Sequence, residues 1–102
     1  MNQRAMEIPR EKIAAFCRKH HILKLSFFGS VLRDDFRPES DVDVLVQFES
    51  GHTPGLAIVD VEEELSLLLG GHKVDLILED SLNRRIRRRV LQEAQVQYVQ
   101  EG

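Results

Sequence analysis

The stretch FFGSVLRDDFRPESDVDVLVQF, Phe27 to Phe48, decides the fold. Its last eight residues alternate. In a strand, successive side chains point to opposite faces. Val42, Val44, Val46 and Phe48 therefore share an apolar face, and Asp41, Asp43, Leu45 and Gln47 share the other. Two aspartates one residue apart project side by side, roughly 7 Å apart at Cα by the strand rise. Like charges at that range raise each other's pKa unless a cation neutralises them. Mg²⁺ takes one or two carboxylates together with waters and substrate phosphates, so this strand entry suits it. Before the pair, Gly29-Ser30 closes an earlier strand. Glycine admits close backbone approach, and a serine opening a helical turn can hold phosphate oxygens. Arg33, one turn later, offers a fork of donors to a triphosphate.

The flanks extend the pattern. Pro9 opens a helix over PREKIAAFCRKHH, with Ile13, Phe16 and Cys17 on one face. ILKLSFF, residues 22–28, alternates as a strand, and a short helical turn is expected over Val31–Arg33. ESGHTPG is a loop. Residues 56–69 form a helix closed by Gly70-Gly71. Its many apolar positions leave Leu67–Leu69 as a candidate protein-binding patch. KVDLIL, residues 73–78, is a third strand and places Asp75 opposite Val74 and Leu76. Ser81 is expected to cap a last helix through Glu93, with Leu82, Ile86 and Val90 facing the core. VQYV, residues 96–99, suits a short edge strand. The order is that of an α/β chain: a small mixed sheet with helices on one face. If the 73–78 strand lies beside the 41–48 strand, Asp75 joins Asp41 and Asp43. Three acids so placed can hold two metals in the spacing used for in-line phosphoryl displacement.

The bulk composition narrows the classes. The chain has 102 residues, enough for one domain, and a net charge of −3. It is 42% hydrophobic and 30% charged, a globular composition. One cysteine, Cys17, excludes an intrachain disulfide. No segment approaches the ~18 apolar residues of a membrane span, and no signal peptide is evident, so a cytoplasmic location is expected. Five arginines fall between Arg84 and Arg89. Arg85, Arg88 and Arg89 fit a solvated face or a patch for an acidic protein better than a nucleic-acid surface, because the whole domain is acidic. His20, His21, His52 and His72 share no metal-ligand spacing within one element and are read as surface or turn residues.

Strand, Gly-Ser, D-x-D on a strand and a later strand acid form an ordered set. That set resembles the polymerase-beta-like nucleotidyltransferase superfamily, and more closely its minimal nucleotidyltransferase group, over about residues 9–99. The arginine-rich segment SLNRRIRRRVLQEAQVQYV is also similar to the end of such chains. One departure is Asp34, where relatives often carry glycine after the motif arginine. The resemblance implies a single nucleotidyltransferase domain over residues 1–102. It implies that Gly29, Ser30 and Arg33 bind the nucleotide, and that Asp41, Asp43 and Asp75 hold two Mg²⁺ ions and carry catalysis. It further implies transfer of AMP from ATP to a tyrosine hydroxyl of a HEPN-domain ribonuclease toxin, with this chain as antitoxin. The alternatives are an antitoxin that acts by contact alone and a nucleotidyltransferase for a small molecule. Neither a membrane nor a nucleic acid is expected as partner.

Overall fold

The structure, a computed structural model, describes residues 10–29 and 41–100. Helix α1 spans Arg10–Lys19, strand β1 Ile22–Phe28, strand β2 Val42–Phe48, helix α2 Ile58–Leu68, strand β3 Val74–Leu78, helix α3 Arg84–Glu93 and strand β4 Gln95–Val99. The expected turn over Val31–Arg33, like Pro9, lies outside the described residues.

The four strands form one mixed sheet in the order β3-β2-β1-β4. β1 runs antiparallel to both β2 and β4. β3 runs parallel to β2, which requires a crossover, and α2 supplies it. The expected edge strand is β4. The mixed sheet matches the expected fold class.

The apolar face of β2 decides the packing. Val42, Val44 and Val46 are fully buried, and they join Leu25 and Phe27 of β1 and Val74 and Leu76 of β3 in one core. Helix α1 adds Ile13, Phe16 and Cys17 to that core, and α2 adds Val61 and Leu65, with Leu69 just beyond it. Both helices thus cover the same face. Burial holds the Cys17 thiol up at about 12, although neighbouring Arg18 pulls it down. Between the helices, Glu64 of α2 accepts from Lys19 Nζ at 3.1 Å and lies 3.0 Å from His20 Nε2. Partial burial would raise the Glu64 pKa, but these two partners hold it below the usual value.

Local chemistry sets the helix ends. Gly70, at φ +78°, ends α2 in a Schellman motif: Gly70 N–H donates to Leu67 C=O and Gly71 N–H to Ser66 C=O at 2.8 Å. Residues 56 and 57 lie in a turn ahead of α2, not in the helix as expected. The expected apolar patch also divides. Leu67 is 79% exposed, whereas Leu69 is 3% exposed and Leu68 packs against the core.

Two expectations fail near α3. Its cap is Asn83, whose Oδ1 accepts from Ile86 N–H at 3.0 Å. Ser81 instead sits in a 3₁₀ turn, Glu79–Ser81, and donates to Leu78 C=O at 2.7 Å. With that carbonyl taking its hydroxyl, Ser81 has no role at the helix start. Nor does α3 bury a residue: Ile86 is 47% exposed, and Leu82 and Val90 are only half-buried. The sheet's apolar face is already filled by α1 and α2. Arg85, Arg88 and Arg89 are exposed as expected, and Arg87 Nη1 lies 3.5 Å from Asp80 Oδ1.

Candidate active site

Register assembles the candidate site at one end of the sheet. Phe28, the last residue of β1, pairs with Asp43 of β2, and Asp43 pairs with Asp75 of β3. Partner residues on adjacent strands lie roughly 5 Å apart, with side chains on the same face. Asp41 stands just ahead of β2, on the Asp43 side of the extended chain. Val42 N–H donates to Lys73 C=O at 2.8 Å, which ties this entry to the start of β3. On the other side of β3, Glu62 of α2 accepts from Leu76 N–H at 3.0 Å. Asp75 is therefore held from both flanks of its strand.

Asp43 is half-buried, while Asp41 and Asp75 are exposed. Desolvation raises the pKa of Asp43, and the charges of Asp75 and Asp41 raise it further. Asp43, with Asp41 and Asp75 close enough to act on its charge, makes a hard, all-oxygen donor set. Such a set fits Mg²⁺, which prefers carboxylates and water.

Gly29 completes the arrangement. It follows β1 with φ +79°, in the left-handed region. A Cβ there would collide with Asp43 Oδ2 and lie 3.3 Å from Asp43 Cγ. The backbone at Gly29 thus runs directly against the central carboxylate, which only glycine permits. Asp41, Asp43, Asp75 and Gly29 thus stand at the same end of the sheet. Ser30 and Arg33 lie outside the described residues.

The opposite face of β2 is less open than alternation suggests. Leu45 shares it with Asp43, yet is 1% exposed, and Ser26, its partner on β1, is also buried. Farther along that face Lys24 Nζ lies 3.9 Å from Glu79 Oε2, with Gln47 on the strand between. Glu79 went unnoticed in the sequence because it follows the third strand without a motif.

The profile of the nucleotidyltransferase domain matches residues 10–97. The protein adenylyltransferase MntA of Thermococcus cleftensis is 40% identical over 73 residues, covering 71% of this chain and 71% of its own length. A solved structure described as a minimal nucleotidyltransferase superposes with a TM-score of 0.70 at 40% identity, covering 83% of this chain and 85% of the other. A chain from a complex of tri-AMPylated Shewanella oneidensis HEPN toxin with MNT antitoxin superposes with a TM-score of 0.64, covering 89% of this chain and 70% of the other. At 19% identity that last likeness speaks for the fold alone. Among the described residues no helix is long and apolar enough to cross a membrane.

Proposed function

Since the chain belongs to the nucleotidyltransferase domain family, we propose that it is a Mg²⁺-dependent protein adenylyltransferase. It moves AMP from ATP to a tyrosine hydroxyl of a HEPN-type toxin and so serves as that toxin's antitoxin. The activity follows the name of the Thermococcus relative, and the partner is the one that the motif resemblance implies. The observation that supports the reading is the Asp43 carboxylate, packed against the Gly29 backbone and raised in pKa by desolvation and by the charges of Asp75 and Asp41. A fold with no cation to bind gains nothing from such a cluster.

Asp41, Asp43 and Asp75 would hold two Mg²⁺ ions, which supply charge neutralisation for the triphosphate and for the oxygens that attack and leave. The chain's own residues do the rest. Gly29 keeps the backbone low beside Asp43, so a phosphate can approach without meeting a side chain. Ser30 and Arg33 are assigned to the triphosphate on the motif. The acceptor oxygen forms its bond to the α-phosphorus as the bond to pyrophosphate breaks. Asp75, exposed at the rim, takes the hydroxyl proton.

The test is the intact mass of the HEPN-type protein encoded beside this chain, after incubation with the chain, Mg²⁺ and ATP. Gain in whole AMP units is expected, with no gain from Asp41→Asn/Asp43→Asn. Gain that survives the double substitution overturns the assignment of the site. No gain while a stable complex forms replaces transfer with inhibition by contact.

A further inference from the structure

The other end of β2 carries a second cluster. Antiparallel pairing sets Ile22 opposite Phe48, so His21, just before β1, meets Glu49, just after β2. Glu49 N–H donates to His21 C=O at 2.8 Å. The loop then turns back, with His52 N–H donating to Glu49 C=O at 2.9 Å. As a result the His21 and His52 rings stack, with centroids 3.9 Å apart and planes 20° from parallel. His21 Nδ1 lies 3.9 Å from Glu49 Oε2. One ligand atom from each of His21, Glu49 and His52 can be chosen so that all three lie within 4.8 Å of one another. His21 holds φ +59°, a left-handed conformation uncommon outside glycine, which directs its side chain at this junction.

We propose that His21, Glu49 and His52 form a binding site for a zinc-class divalent transition ion. Two imidazole nitrogens and one carboxylate oxygen are a zinc donor set that leaves a fourth position to water. The same donors suit Mg²⁺ poorly, since imidazole favours zinc, copper and nickel. Ligand atoms about 2.0–2.2 Å from a tetrahedral ion lie about 3.4 Å from one another. The present separations, up to 4.8 Å, are wider, so a bound ion would draw the two exposed histidines together and tilt their stacked rings apart. The site is distinct from the aspartate cluster: five strand steps, about 16 Å, run from Asp43 to Phe48. A bound ion ties the α1–β1 junction to the loop between β2 and α2, and it stabilises the fold by as much as it prefers this assembled site to the unfolded chain.

The test is calorimetric titration of untagged protein with Zn²⁺ in excess Mg²⁺, alongside thermal melts with and without Zn²⁺. The variants are His52→Ala and His21→Asn, asparagine being chosen because it tolerates the left-handed backbone. One ion per chain is expected, with affinity lowered at least ~10-fold in each variant. Zn²⁺ should raise the melting temperature of the wild type and not of the variants, and AMP transfer in Mg²⁺ should persist in both. No binding by the wild type overturns the proposal, and so does binding unchanged in both variants. Should His21→Asn fail to fold, His52→Ala, in an exposed loop, decides alone.

Discussion

Replacing Gly29 by alanine separates backbone strain from damage to the site. The residue holds φ +79°, and an added Cβ meets the Asp43 carboxylate. A left-handed non-glycine residue costs roughly 1–2 kcal/mol. Asp43 cannot retreat freely, because Asp41 and Asp75 flank it; pushing it off its rotamer adds about 0.5–1.5 kcal/mol. Gly70 is the matched control. Its φ is +78°, and nothing lies within 4 Å of an added Cβ. Gly70→Ala should therefore lose about 1–2 kcal/mol. Gly29→Ala should lose about 1 kcal/mol more. In a domain of this size each kcal/mol lowers Tm by about 4–8 °C. Thermal melts measure the stability, and AMP transfer measured well below both melting points reports the site. Gly29→Ala should lose transfer while folded, and Gly70→Ala should keep it. Equal transfer in the two variants would refute the close approach of Gly29 to a working carboxylate.

Further outcomes follow from other contacts. Mg²⁺ should raise the Tm of the wild type, by about 2.7 kcal/mol of stability at 100 times Kd, and leave Asp41→Asn/Asp43→Asn unmoved in a melting series. The Glu64 pKa is depressed on folding, so its contribution is present above the unfolded value of 4.5 and disappears as pH falls through the folded value. Glu64→Gln should thus cost about 0.2–1 kcal/mol at pH 7, as a largely exposed pair does, and almost nothing in strong acid, by denaturant titration at each pH. Cys17 has its thiol pushed up to about 12, so at pH 8 only about one molecule in 10⁴ carries the thiolate and a thiol reagent should react only in denaturant. Leu65→Ala empties a fully buried position between α2 and the sheet and should cost about 2–5 kcal/mol in a urea melt.

The alternation of DVDVLVQF carried most of the fold, because a period of two can bury one face only one way. Asp75 was placed with Asp43 by the same logic, once β3 was taken as the neighbour of β2. What the pattern lacked was competition between equivalent residues. Ser81 and Asn83 are both good caps, and only the position of the Leu78 carbonyl decides between them. The exposure of Ile86 was equally hidden, since helical spacing marks a face without saying whether room remains to bury it. His21, Glu49 and His52 share no spacing signal; they meet only because β1 and β2 are antiparallel and their outer ends coincide.

β1 lies in the interior of the sheet, yet its two neighbours reach it at different times. β2 follows soon in the chain, whereas β4 arrives only after β2, α2, β3 and α3. Closing so long a loop is entropically costly and slows folding of non-local pairings. During synthesis the aspartate-bearing strands can therefore meet first, while one side of β1 still offers bare amides and carbonyls. The last strand to emerge is the one that seals that row, so the interval before it docks is when the chain is most open to pairing with another copy of itself.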